Sequence, residues 1–261
     1  MKSNEVFIFT FVLLITTLRP LVILFWYFIR SNKSTADRII LLSLNDKPAY
    51  VEQQKKREFK GNIVSFLTDF VLVIAACYCG ILTISSEFSF TKKLILDMMW
   101  QFPLHFLVLE FLYYWYHRLQ HQYKFLYKFH LYHHKSIITN PETPTSFNII
   151  DRVGLTPLFI IPFFIISQIT NEPISPILFI LTALFHDVMN IAGHVNFEVM
   201  PKWWCDNNVL NKVLYSTRHH ALHHTKFNCN YSLFCPFFDW LFNSTCRESL
   251  LPKERSENKV D

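Results

Sequence analysis

The chain has 261 residues, a net charge of +5 and a hydrophobic content of 51% that includes 27 phenylalanines. This length and apolar content favour one membrane-embedded unit over two soluble domains. Only four glycines are present, and the Gly-rich sequences of dinucleotide and ATP sites do not occur, so these cofactor folds are excluded. The lysines are not interleaved with exposed aromatic residues, which argues against nucleic acid as a partner and favours basic loops beside a membrane.

The first predicted element is an apolar helix over residues 6–29. It exceeds the ~20 residues that cross ~30 Å of hydrocarbon, although Arg19-Pro20 predicts a kink or a shortened helix. A signal peptide is the alternative, but the segment is too long for a secretory apolar region and lacks a small-residue cleavage site, so we expect a retained anchor. Residues 30–60 are polar and basic and are expected to form a loop or surface helix on the cytoplasmic side.

Two further spans are predicted over residues 63–84 and 94–116, joined by a short connection on the far side of the membrane. The second of these spans returns the chain to the cytoplasmic face just before His117. The first histidine cluster is therefore expected where a helix leaves the bilayer.

A second apolar pair covers residues 153–169 and 174–192, with a turn-like Thr-Asn-Glu-Pro sequence between its members. Pro157 and Pro162 leave open whether the first member crosses the membrane fully or re-enters on the same side. Either path brings the chain back to the face that it left, so His194 is expected beside the earlier histidines.

These elements predict an all-α membrane protein with four to five transmembrane helices and a cytoplasmic, histidine-rich helical cap. We divide the chain into an N-terminal transmembrane region with a basic cytoplasmic loop (1–93), a histidine-bearing domain (94–245) and a charged tail (246–261). The six cysteines show no Cys-x-x-Cys spacing, which predicts free or buried thiols rather than a disulfide framework.

Eleven of the twelve histidines follow residue 116, in clusters with the spacing of metal ligands. Residues three or four apart lie on one face of a helix, so each cluster can direct several imidazoles to one point. The candidate ligands are His117, His121, His130, His133, His134, His194, His220, His223 and His224. One ion rarely takes more than four imidazoles, so this set predicts two metal ions.

Three other histidines are assigned differently. His219 is left out because a helix that directs His220 inward turns the preceding position about 100° aside. His186 lies about two turns before His194 and is interpreted either as a ligand or as a partner of one. His105, inside a predicted span, is expected to be structural or to face the substrate.

Acidic residues in such a chain should orient the ligands. Glu110 is an ionisable residue within a predicted span and therefore functional by default. It precedes His117 by seven residues, which places both on one helix face, and we expect it to accept a hydrogen bond from a ligand imidazole. An ion pair with Arg118 is the alternative. Asp239 is assigned with Glu110 to the catalytic machinery, and Asp187 is a further candidate for the same orienting role.

Zinc is the competing metal. Structural zinc takes four ligands, usually with cysteine, and catalytic zinc takes about three. The number of histidines here exceeds both requirements. A pair of redox metals with open positions is the better interpretation, and it fits dioxygen activation beside a membrane.

Residues 94–245 resemble the fatty acid hydroxylase / sterol desaturase superfamily of membrane non-haem di-iron enzymes. The motifs that carry the resemblance are EFLYYWYHRLQH, HLYHH, NIAGHVNFE, HHALHHTKFNCNYSLF and FFDWLF. Within the superfamily the chain looks most like the hydroxylase-type half of the plant wax aldehyde decarbonylases, and it is also similar to sterol C-4 methyl oxidases.

The resemblance implies that the nine candidate histidines hold two non-haem iron ions. Asn230, Tyr231 and Asp239 match the segment that follows the last histidine motif. The family usually has Gly-Thr after this aspartate, where Asn243-Ser244 stand here, and asparagine can adopt the left-handed backbone that glycine supplies.

The function expected from this resemblance is a di-iron monooxygenase of the sterol desaturase type. It would use O2 to hydroxylate or oxidise a sterol or long-chain acyl lipid in lipid or sterol biosynthesis, at the endoplasmic reticulum membrane with the site facing the cytoplasm. Tyr113, Tyr116 and Trp240 are expected along the substrate route. No haem-binding His-Pro-Gly-Gly sequence is present, so NAD(P)H-derived electrons are expected from cytochrome b5 and its reductase, docked by the basic residues 55–60.

Two alternatives stay open. One is an alkane-forming enzyme like the long-chain aldehyde decarbonylases. The other is a non-enzymatic membrane protein that binds metal or serves as a scaffold. The sequence does not determine which lipid is the substrate, because the pocket depends on how aromatic helices pack.

Overall fold

A computed structural model describes residues 3–31, 48–207 and 209–249. In these residues the secondary structure is helical, and the only strand-like pairing is an isolated bridge between Ile84 and Ile174. Four helices are long and apolar enough to cross a membrane, which confirms the predicted all-α membrane fold. They are α1 (Ser3–Arg30), α2 (Pro48–Tyr78), α3 (Lys92–Gln122) and α5 (Ile149–Thr170).

The remaining helices are shorter. The apolar helix α6 (Pro176–Ala192) has 17 residues and falls just below the length of a full span. The other described helices cap one end of the bundle. They are α4 (Lys124–His134), α7 (Lys202–Cys205), α8 (Leu210–Val213), α9 (Thr217–Lys226) and α10 (Phe237–Leu241), with 3-10 turns at Thr143–Thr145 and Arg247–Ser249.

Helix α1 runs without interruption through Arg19-Pro20, so the predicted shortening is wrong. The Arg19 side chain forms ion pairs with Asp69 of α2 and Asp187 of α6. Because these partners offset the cost of a charge among apolar helices, the arginine does not end the helix.

The predicted boundary before the second span is also corrected. Helix α2 begins at Pro48, so residues 55–60 are its first turns rather than a loop or a separate surface helix. The part of the predicted loop at residues 32–47 lies outside the described residues. Buried Glu58 holds the start of α2 by accepting hydrogen bonds from Gln54, Asn140 and Thr143. The helix ends at Tyr78, six residues before the predicted end, and Gly80 turns the chain with a left-handed φ of 70°.

Helix α3 begins at an N-cap, where the Thr91 hydroxyl accepts the backbone N–H of Leu94. It continues six residues beyond the predicted end, to Gln122. His117 and His121 therefore lie on the same helix as Glu110. The first histidine cluster is part of a spanning helix, not of a separate cap.

The main apolar core lies among α1, α2, α5 and α6. Phe163 of α5 stacks on Phe179 of α6 with ring centroids 4.8 Å apart, and Phe11 of α1 lies 5.7 Å from Phe179. Ala76 of α2 belongs to the same cluster. This packing places the ends of α3 and α6 and the start of α5 at one end of the bundle, where α4 and α9 carry the other histidines.

All six cysteines are free, as predicted. The division at residues 93 and 245 stays a prediction, although α3 does begin close to the first of these boundaries. The predicted charged tail lies outside the described residues after position 249.

Candidate metal centre

All nine candidate histidines converge at this end of the bundle, in two neighbouring groups. The five-histidine group contains His117, His121, His130, His134 and His223. The four-histidine group contains His133, His194, His220 and His224. Within each group the ligand nitrogens lie within 4.8 Å of one another. Neither group includes His186 or His219.

Helix geometry explains how the residues are divided. Positions four apart share a helix face, so His130 and His134 enter the same group, as do His220 and His224. Adjacent positions differ by about 100° around the helix, so His133 and His134 enter different groups. The pairs His133-His134 and His223-His224 thus each contribute one residue to each group, which brings the groups side by side.

The spacing of the imidazole nitrogens fits metal binding. The Nε2 atom of His134 lies 3.1 Å from the Nε2 atoms of His121, His130 and His223. In the other group, the Nε2 atoms of His194 and His220 are 2.9 Å apart. Two nitrogens bound at about 2.1 Å from one ion, at right angles, would be about 3.0 Å apart. The donor atoms are therefore placed as neighbouring ligands of an ion would be.

Four of the imidazoles are oriented through their Nδ1 atoms. His117 Nδ1 lies 2.8 Å from the carbonyl oxygen of Tyr231, and His223 Nδ1 lies 2.7 Å from that of Cys229. His194 Nδ1 is 2.7 Å from the carbonyl oxygen of Asn190. Because these oxygens can only accept, Nδ1 carries the proton and Nε2 keeps the lone pair that a metal requires.

The fourth oriented imidazole reveals a residue that sequence reasoning missed. His130 Nδ1 donates to Asp151 Oδ2 at 3.0 Å, and Gln120 Nε2 donates to Asp151 Oδ1 at 2.6 Å. Asp151 is buried in the first turn of α5, and its backbone N–H donates to the side chain of the N-cap residue Asn148. Its position just before an apolar segment was the available signal, but only the fold shows which histidine it reaches.

We expect Asp151→Asn to lower the metal affinity of the five-histidine group by about 10- to 100-fold, because the amide cannot replace the carboxylate that orients His130. Metal titration of the purified protein would measure this change. The four-histidine group should retain its affinity, and equal weakening of both groups would contradict the assignment.

Glu110 does not have the predicted partner. Its carboxylate accepts the backbone N–H groups of Leu233, Phe234 and Cys235, at 3.2, 2.6 and 3.0 Å. Among the described residues neither a ligand imidazole nor Arg118 bonds to it. Arg118 instead donates to the hydroxyl of Tyr114. Glu110 therefore holds the loop before α10 and acts on the histidines only through the backbone.

Asp239 also acts through the backbone. It accepts the N–H groups of Tyr231 and Ser232, both at 2.8 Å, and the Ser244 hydroxyl at 2.7 Å. Its only histidine partner among the described residues is His219, at 3.3 Å. The Tyr231 carbonyl oxygen accepts the Nδ1–H of His117. The link from Asp239 to this ligand is therefore indirect, through the backbone of Tyr231. The predicted orienting role of Asp239 stays a prediction, and its contacts would exert that role through the loop that carries Tyr231.

The Asn-Ser sequence after this aspartate is compatible with the fold. Asn243 adopts the left-handed backbone expected for it, with φ 54°. Ser244 then bonds to Asp239 and to the Tyr114 hydroxyl. The departure from Gly-Thr therefore preserves the turn.

Burial keeps six of the candidate histidines outside the spanning helices neutral. It lowers the pKa of His194 to about 4 and that of His223 to about 3. The pKa values of the other four also fall well below their ordinary value, mainly through burial and further through neighbouring imidazoles. These four are His133, His134, His220 and His224. A neutral imidazole is the form that binds metal.

A mainly apolar cavity between the helices reaches the four-histidine group, where His133 and His194 form part of its wall. Of the aromatic residues expected along the substrate route, Tyr113 lines this cavity and Tyr116 does not. Trp240 does not line this cavity either: it is half exposed at the surface, with the Lys212 ammonium 4.3 Å from its ring centroid.

The remaining candidates take structural or cavity positions. His186 lines the cavity beside Asp187, which pairs with Arg19 rather than with a ligand imidazole. His105 is buried, and its Nε2 lies 3.1 Å from the carbonyl oxygen of Phe159. Its position agrees with the structural alternative.

The chain is similar to proteins of Oryza sativa and Arabidopsis thaliana. It is 37% identical to the very-long-chain aldehyde decarbonylase GL1-5 of Oryza sativa subsp. indica, over 58% of this chain and 25% of the relative. It is 36% identical to Protein CER1-like 2 of Arabidopsis thaliana, again over 58% of this chain and 25% of the relative. The chain thus spans about a quarter of the length of these relatives. No solved structure matches it.

The sequence of residues 102–244 matches the fatty acid hydroxylase family. This segment is more than half of the chain and contains every histidine of the two groups. The chain belongs to the fatty acid hydroxylase family.

Proposed function

We propose that this lipid-modifying membrane enzyme is a di-iron oxidoreductase that uses O2 to hydroxylate or oxidise a long-chain lipid. The observation that carries the proposal is the pair of adjacent, buried, all-imidazole groups at the end of an apolar cavity. One group has five donors and the other has four, without a cysteine in either.

The donor set favours iron over zinc. A closed zinc site is tetrahedral, and five imidazoles within one group exceed that number. Imidazole is also a good ligand for iron, which has the redox chemistry that zinc lacks. When bound, an iron pair would supply the binding and reduction of dioxygen.

The protein's own contribution is to hold the ligands and to exclude water. Asp151 fixes the ring of His130, and the carbonyl groups of Tyr231 and Cys229 fix His117 and His223. Glu110 and Asp239 hold the loop that carries Tyr231. Because the cavity reaches only His133 and His194 among the histidines of both groups, the substrate would approach from the side of the four-histidine group.

The comparisons support a long-chain substrate more than a sterol. The family is named for fatty acid hydroxylation, and the relatives above include a very-long-chain aldehyde decarbonylase. That name also supports a second candidate, an alkane-forming reaction on a long-chain aldehyde. The two candidates share the metal centre and differ in the product.

We further propose that the histidine end of the bundle faces the cytoplasm at the endoplasmic reticulum. Lys55, Lys56 and Lys60 are exposed on the first turns of α2. The same end of α2 is tied to the loop after α4 through Glu58 and Thr143. This basic surface would suit an acidic electron carrier such as cytochrome b5, which would receive its electrons from an NAD(P)H-dependent reductase.

The test is to purify the protein in detergent, measure iron per chain, and supply long-chain lipids with an electron donor and labelled dioxygen. We expect about two iron ions per chain and incorporation of labelled oxygen into a lipid product. An alkane product from an aldehyde would favour the second candidate. Metal without oxidation of any lipid would favour a non-enzymatic metal-binding protein.

A further inference from the structure

Four charged side chains meet in the wall of the cavity, within the helical bundle. Arg19 Nε donates to both carboxylate oxygens of Asp187 at 3.1 Å, and its Nη1 donates to Asp69 at 3.0 Å. Arg152 donates twice to Asp69, at 2.7 and 2.5 Å, and the Thr156 hydroxyl donates to the same carboxylate at 2.7 Å. All five residues line the cavity, and we call them the polar cluster.

The polar cluster is balanced in charge but not in hydrogen bonding. Two guanidinium groups face two carboxylates, so no net charge is left. Arg19 Nη2 and Arg152 Nη1 have no hydrogen-bond partner among the described residues, although both side chains line the cavity. Such a cluster costs several kcal/mol to bury in a membrane bundle and is therefore a candidate binding site. It offers donors without offering a charge.

The position of the polar cluster relates it to the metal centre. Along α6 and just after it, the cavity is lined in chain order by Phe179, Ala183, His186, Asp187, Asn190 and His194. The apolar residues Phe179 and Ala183 thus lie on one side of Asp187, and the metal-group residue His194 lies on the other. At a rise of ~1.5 Å per residue, Asp187 lies about 10 Å along the helix from His194. A lipid chain among the apolar residues would place its polar end at the cluster, on the side that faces the four-histidine group.

We propose that the polar cluster binds the uncharged oxygen of a long-chain alcohol or aldehyde, which accepts N–H groups of Arg19 and Arg152. A carboxylate would add an unbalanced negative charge to the cavity, and an alkane could not accept the hydrogen bonds. Two of the contributing residues, Arg19 and Asp69, lie outside the segment that matches the family. The statement that this lipid is the substrate rests on the proposed function, whereas its binding does not.

The experiment measures displacement of a fluorescent long-chain lipid from the detergent-solubilised full chain. Hexadecanol, hexadecanal, hexadecane and palmitate compete separately, with the protein as purified and after removal of metal by a chelator. We expect the alcohol and the aldehyde to compete about tenfold better than the alkane and the fatty acid. Arg19→Gln combined with Asp187→Asn keeps the charge balance. This double variant should abolish the preference for the alcohol and the aldehyde without weakening the binding of the alkane.

Arg118→Gln is the matched control, since Arg118 is a partly buried arginine that bonds to Tyr114 outside the cavity. It should keep the preference for the oxygen-bearing lipids. The proposal would be overturned if all four lipids competed equally or if palmitate competed most strongly. It would also be overturned if the double variant kept the preference for the alcohol and the aldehyde. Loss of all lipid binding together with metal in the double variant would assign the cluster a purely structural role and also overturn it.

The two proposals can fail separately. If the protein binds no iron or oxidises no lipid but still prefers the alcohol, the binding site stands and the di-iron function falls. If lipids are oxidised but the alcohol competes no better than the alkane, the di-iron function stands and the proposed binding site falls.

Discussion

His133→Ala is expected to remove metal from the four-histidine group and to leave the five-histidine group filled, whereas His134→Ala does the reverse. The two residues are neighbours on α4 and equally buried, but they contribute to different groups. Each variant should retain roughly half of the iron of the unchanged protein, because one set of ligands stays complete. Lipid oxidation should fall by at least about 100-fold in both, since the reaction is proposed to require both ions.

Iron analysis combined with absorption spectra of each variant would check this result. His219→Gln is the control for iron content, since His219 is buried in the same region but bonds to Asp239 and lies in neither group. It should keep both ions. Identical spectra for the remaining iron in His133→Ala and His134→Ala would contradict two separate groups.

Glu110→Ala is expected to destabilise the protein by about 3–5 kcal/mol, because three buried N–H groups lose their acceptor. The affected segment is the loop from Leu233 to Cys235, which follows the Tyr231 carbonyl that orients His117. The melting temperature in detergent should fall by about 10 °C. Glu110→Gln keeps one acceptor oxygen and should lose roughly half as much stability.

Glu87→Ala is the control, because this glutamate is exposed in a loop and its removal should change stability by less than about 0.5 kcal/mol. If Glu110→Ala were as stable as Glu87→Ala but lost iron, Glu110 would act on a ligand imidazole, as the sequence predicted. A lower melting temperature in a variant that still holds its iron would support the role of Glu110 in holding the loop.

The outcome for Glu110 shows why orienting residues were harder to predict than ligands. Its burial in an apolar helix and its spacing from His117 were correctly inferred, and burial does require a partner. However, a carboxylate accepts an imidazole N–H and a backbone N–H equally well. The fold brings the loop at Phe234, more than a hundred residues away in the chain, into hydrogen-bonding distance of Glu110. The imidazole of His130 instead donates its hydrogen bond to Asp151.

The boundaries of the helices differed from prediction for a related reason. Helices α2 and α3 continue past the apolar residues at their polar ends, because helix formation is local whereas hydropathy reports only contact with lipid. As a result, His117 and His121 occupy an extension of a spanning helix. Arg19 likewise continues α1, because Asp69 and Asp187 from other helices compensate its charge.

The sequence by itself determined the helical membrane class, the set of nine histidines and the exclusion of His219, because apolar length and helical spacing are local properties. Only the tertiary structure decided how those histidines divide between two groups, which carboxylate orients which ring, and that Arg19 and Asp69 enter the same cavity as His194. Each of these depends on contacts between residues far apart in the chain, and such contacts follow from packing rather than from spacing.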